Sequence, residues 1–191
     1  MSVASIVVLV IIAIALIYII MLYNNLVTIK HNVSKAWANI DVLLKQRHDE
    51  LPKLVETCKQ YMQYEQQTLE KVMDARSRVF SAREAGNVGA VGQAEGALRA
   101  SIGNLFAVAE NYPDLKTNDT FRQLQARITG LESEIADRRE FYNDSVNINN
   151  VRIEQFPDVV IAGLFGFKPF ELLHFDAAEK ADVDVGALFK A

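Results

Sequence analysis

The sequence predicts an all-α protein: an N-terminal transmembrane helix followed by a long antiparallel helical bundle. Two observations predict it. From Val3 to Leu22 the chain runs for about twenty residues without a charge, the length that spans a bilayer once as a helix. Beyond Tyr23, apolar residues recur at alternating steps of three and four, the spacing that puts one narrow stripe on each helix of a coiled-coil-like bundle.

The apolar run is read as a retained anchor. A secretory signal peptide would call for a basic start, a shorter apolar core and a small-residue cleavage site. Met1 and Ser2 carry no basic side chain, and Ala13 and Ala15 lie in the middle of the run. Lys30, Lys35, Lys45 and Arg47 follow the span, so the positive-inside rule predicts a cytoplasmic soluble part, with the extracytoplasmic side left open by the uncharged N-terminal stub.

The first bundle helix continues from the span, because nothing between Tyr18 and His48 breaks it; Val33, Trp37, Ile40 and Leu44 form its stripe. Asp49-Glu50-Leu51-Pro52 places a proline where a first helical turn tolerates it, which predicts an end or kink near His48 to Leu51. A second helix is expected from Pro52 to about Ala85, along Leu51, Leu54, Cys58, Met62, Glu65, Leu69, Val72, Arg76 and Val79, with the two charged members as breaks. Gly86, Gly89, Gly92 and Gly96 read as a loose connection before helical pattern resumes at Leu98, Ile102, Leu105, Phe106 and Ala109. Tyr112-Pro113 closes that helix, and Asn118-Asp119-Thr120 caps a last one reaching Gln155, where Phe156-Pro157 stops it. Its stripe is Phe121, Leu124, Ile128, Leu131, Ile135, Arg138 and Tyr142, and its expected partner, antiparallel over its whole length, is the Pro52 to Ala85 helix.

Residues 156–175 differ in kind, with Phe156, Phe165, Phe167, Phe170, Leu172 and Phe175 among many apolar neighbours. The segment is too short and too interrupted to span. Three readings stay open: packing on the bundle, lying at the membrane interface, or docking on a neighbouring subunit. The division expected is therefore an anchor (1–22), a bundle (23–155), this segment, and a flexible tail (176–191).

A net charge of −4 without a basic tract argues against nucleic acid. The single cysteine rules out an intrachain disulfide or a cysteine-based metal site, and Cys58 occupies a core step, the place of a packed, inert thiol. His31, His48 and His174 lack metal-ligand spacing, no Glu-x-x-His motif occurs, and the glycines lack the strand and lysine of a phosphate loop. No catalytic residue, cofactor or metal is predicted. Two polar features could fix register: Trp37 as a core anchor, and the amides Asn143, Asn147, Asn149 and Asn150, which can pair with one another where apolar periodicity weakens.

Three motifs resemble the LemA family. Tyr23 to Glu65 carries Tyr-Asn, Ala-Trp, Asp-Val, Leu-Lys, Arg-x-Asp and Pro-x-Leu-Val landmarks. Glu110 to Lys116 with Phe121 to Leu124 is similar to its middle motif, and Tyr142-Asn143, Phe156-Pro157 and Ala162 to Phe167 to its closing one. The resemblance covers Tyr23 to Phe175. It implies a single-pass bacterial inner-membrane protein with a helical-bundle domain and no established enzyme activity. Departures are Tyr64-Glu65 in place of a His-Glu pair, Asn149-Asn150 in place of a second Tyr-Asn, and Ala181 to Val185 in place of a terminal Pro-x-Val-x-Phe. The function expected is a non-enzymatic membrane scaffold that forms a homo-oligomer, in contact with membrane lipid. The alternative is a monomeric adaptor presenting a bundle groove to another membrane or envelope protein.

Overall fold

In a computed structural model, residues 2–175 are described; the expected flexible tail and the departures at Ala181 to Val185 lie outside them. Six helices follow one another: α1 (Val3–Lys59), α2 (Gln66–Glu84), α3 (Val88–Ala109), α4 (Pro113–Thr117), α5 (Asp119–Glu154) and α6 (Asp158–Phe165). No strand occurs among the described residues. α1 begins with the apolar run, and none of its most apolar stretch is buried within the chain, so it is no core helix of a soluble protein.

Two of the expected breaks move. α1 does not end near His48 but passes through Pro52 to Lys59. A proline inside a helix deprives the carbonyl four residues earlier of its donor. Here that carbonyl belongs to His48, and Arg76 Nε donates to it at 2.8 Å. The side chain of α2 thus replaces the missing backbone bond, and the helix survives. The expected helix from Pro52 to Ala85 is instead two, reversed by a turn at Gln60–Glu65. No glycine or proline marks this turn. It is held by Tyr61 and Met62, whose amides both donate to the Cys58 carbonyl, and by two tertiary bonds: Asn118 Nδ2 to Tyr61 Oη (3.1 Å) and Tyr112 Oη to Glu65 Oε1 (3.4 Å).

The glycine-rich connection is also tighter than expected. Gly86 takes the left-handed conformation (φ 64°) that ends α2, and Asn87 caps α3 at once, its Oδ1 accepting from Ala90 N at 2.9 Å. Gly89, Gly92 and Gly96 are therefore helical. Further on, Asn118 caps α5 through Phe121 N at 2.9 Å, as the sequence predicts.

The chain divides into two compact units. One comprises Val42–Ala136 and the described residues from Leu173 on; in it α1, α2, α3 and α5 surround a core that includes Leu51, Leu54, Cys58, Met62, Val72, Leu98, Leu105, Phe121 and Ile128. Met62 remains in the core although it lies in the turn, so the heptad step passes through the reversal. Gly92 faces the returning chain: a Cβ there would stand 2.0 Å from the His174 carbonyl oxygen.

The other unit comprises the described residues up to Asp41 and Asp137–Leu172. It is an antiparallel pair of helix segments, since Trp37 packs on Tyr142 (ring centroids 5.4 Å) while Leu22 and Leu26 cluster with Ile153. α6 completes that cluster through Ile161 and Ala162.

Candidate functional site at the end of the span

α5 ends at Glu154, and the chain turns at Phe156-Pro157, a cis bond, into α6. Asp158 opens α6, buried and 3.4 Å from Arg152 Nε, in the first turn where a carboxylate complements the helix dipole. Gly166 closes it in the left-handed conformation (φ 70°), and Phe167 N donates back to the Ala162 carbonyl at 3.0 Å. α6 lies against the end of the apolar run: Tyr23 meets the ring of Phe165 at 4.7 Å and that of Phe167 at 6.0 Å.

After Gly166 the chain is neither helix nor strand, so its backbone groups must find side chains. Asn150 answers with both ends of its amide: Nδ2 donates to the Phe170 carbonyl and Oδ1 accepts from Phe170 N, each at 2.9 Å. Asn149 Nδ2 donates to Asn150 Oδ1 (3.2 Å) and the Lys168 carbonyl (3.4 Å), and Tyr142 Oη to the Glu171 carbonyl (2.9 Å). Burial, then the nearby Glu171, push the Tyr142 phenol up to about 12, so it remains a donor. The amides thus hold α5 to its own C-terminal segment. Asn149 is buried and Asn143 and Asn150 half-buried, while Asn147 is exposed. Trp37 is half-buried.

The phenylalanines divide in the same way. Phe167, Phe170 and Leu172 are half-buried and Phe175 is buried, so these pack within the chain. Phe156 (83% exposed) and Phe165 (59%) are left open, together with Val159, Val160 and Leu164. Along α5, Phe141, Ile148 and Val151 form a second exposed apolar stripe, on a flank away from the buried Tyr142, Val146, Asn149 and Ile153.

The unit of Val42–Ala136 holds a polar cluster that the sequence reading passes over. Arg47 is fully buried, with Nη1 donating to Glu132 and Nη2 to the equally buried Glu95. Burial alone would lower the guanidinium pKa; the two carboxylates outweigh it and hold Arg47 charged. Burial pushes the Glu95 carboxyl up, and Arg47 offsets this only in part. The signal was in the spacing: Leu44-Arg47-Leu51 and Val91-Glu95-Leu98 put opposite charges at core steps of two stripes. Beside it, Arg76 Nη2 lies 2.6 Å from His48 Nε2, and burial, then this cation, lower the His48 pKa. Burial pushes the Cys58 thiol up to about 12, which makes it a poor nucleophile. Among the described residues, no group of three or more His, Cys, Asp or Glu could hold a metal ion.

The family model of the LemA family matches residues 36–186. The chain is 25% identical over 195 aligned positions to magnetosome proteins MamQ 1 and MamQ 2 of Paramagnetospirillum magneticum, covering 90% of this chain and 72% of each relative. It is 24% identical, with the same coverage, to magnetosome protein MamQ of Magnetospirillum gryphiswaldense. None of these names is an enzyme name. Among the described residues one helix is long and apolar enough to cross a membrane, and the protein is membrane-associated. Over most of its length, from Ala36 in α1 onward, this chain belongs to the LemA family.

Proposed function

We infer that the protein is a non-enzymatic scaffold anchored in the bacterial inner membrane, whose copies associate side by side through the exposed flank of α5. One observation carries this: Phe141, Ile148 and Val151 share a face of α5 and are 55%, 57% and 43% exposed. A stripe of this kind marks an interaction surface. Lipid does not reach its upper end. Phe141 adjoins Tyr142, which packs on Trp37, and Trp37 lies about 22 Å along α1 from Leu22 at 1.5 Å per residue. A second copy suits the stripe because anchors confine all copies to one plane with one orientation, so that equivalent flanks face sideways. The basic residues after the span support a cytoplasmic soluble part.

The test is the mass of full-length protein extracted in mild detergent, measured by light scattering. A multi-copy mass is expected, falling to one copy when Phe141, Ile148 and Val151 are all replaced by Asp. A wild-type protein that disperses as single copies overturns the reading. The adaptor alternative then takes its place, resting on a cleft of about 410 Å³ lined by residues including Val55, Met62, Leu69 and Met73. Lys59, Gln63, Gln66, Glu70 and Asp74 complete its lining, and the two methionines let its apolar part adapt to a partner helix.

A further inference from the structure

The geometry points to α6 as a second membrane contact: a helix lying in the bilayer interface beside the span, its outer face covered by phospholipid. Its sequence, DVVIAGLF, has one polar residue, Asp158, and that one is buried. A helix apolar on every face is stable only when covered all round. Ile161 and Ala162 are covered within the chain by Leu22, Leu26 and Ile153. Val159, Val160 and Leu164 point the other way and are 41%, 52% and 75% exposed, and Phe156 stands open at the turn before them.

What covers that face follows from its place. Leu22 is the last residue of the apolar run, before the polar Tyr23-Asn24-Asn25, so one of the residues on which α6 packs also ends the hydrocarbon span. The α5–α6 turn lies at this end of the helix pair, since Ile153 joins the same cluster. Tyr23, against Phe165, is an aromatic residue of the kind that marks the headgroup level. Beside this contact a cleft of about 260 Å³ is lined by Tyr23, Val27, Lys30, His31, Phe165 and Phe167, together with Gly166. Lys30 stands about 12 Å along the axis beyond Leu22, and an extended lysine can reach back to the phosphates. Apolar residues at the boundary and a cation one headgroup further out match a phospholipid in both its parts.

The inference does not rest on self-association of the chain. It is tested with Leu164→Trp and Phe156→Trp, made separately in the full chain and placed in phosphatidylcholine nanodiscs whose acyl chains carry bromine near the headgroup end. Trp37 supplies the only background emission, subtracted with wild-type protein. The introduced tryptophans should lose half or more of their emission, and Phe141→Trp, high on the α5 stripe, should lose almost none. Unquenched emission at both 156 and 164, or equal quenching at all three sites, overturns the inference. Unquenched emission together with a multi-copy mass would remove the lipid contact and leave the scaffold reading in place.

Discussion

The two units solve the same problem, burial of a helical stripe, with different means. In the unit of α2 and α3, helices on every side close the core, and even the charges at core steps are paired with one another: Arg47 against Glu95 and Glu132. The unit containing the apolar run has only two long helix segments, which cannot enclose a core. It recruits a short helix and an irregular strip of chain, and still leaves Phe141, Ile148, Val151, Phe156 and the outer face of α6 open. The first is built for internal stability. The second is a packed seam with apolar flanks, and the proposed interactions are placed there.

The largest test of this contrast is Arg47→Ala. Removing one partner of a buried ion cluster leaves the buried Glu95 without its counter-ion and hydrogen-bond donor, a loss of about 3–5 kcal/mol. Hydrogen exchange should show it as deprotection of α2 and α3, with α6 amides unchanged. Deprotection of α6 to the same degree would mean that the two units unfold as one. Next is Arg76→Met, which returns the His48 carbonyl to the unpaired state that Pro52 creates, at about 1–3 kcal/mol. Adding Pro52→Ala restores a donor and should recover most of that loss; failure to recover would show that Arg76 acts through something other than the proline gap.

In the seam, Asn150→Ala removes two bonds to Phe170 and should cost about 1–2 kcal/mol, seen as faster exchange at the Phe170 amide with α2 and α3 unaffected. The smallest effect concerns pH. Burial, then Arg76, hold the folded His48 pKa below its ordinary 6.5, so the unfolded chain takes up the proton more readily. The stability is complete above about 6.5 and is lost as pH falls through the lowered folded value. His48→Gln should flatten the dependence of the urea midpoint in that window, and an unchanged slope would assign it to another group.

Much of this was legible from spacing alone. The apolar run, the buried steps of α3 and α5 and the Asn118 cap follow from local periodicity and local hydrogen bonding, which neighbouring residues determine. Arg47 and Glu95 were legible too, as charges at core steps, but only their opposition across two helices makes them a cluster. The turn at Gln60–Glu65 carried no local signal, because a polar stretch rich in glutamine and tyrosine is as compatible with helix as with turn.

By itself, then, the sequence determined the helical class, the candidate span, the stripes that enter the core and the family, since each depends on residues a few positions apart. Only the tertiary structure decided where the chain reverses, that α1 survives its proline, and which phenylalanines are used up within the chain. Those outcomes depend on partners distant in sequence: Arg76 for His48, Asn118 for Tyr61, Asn150 for Phe170. A backbone group does not reveal in its own neighbourhood which remote side chain will satisfy it.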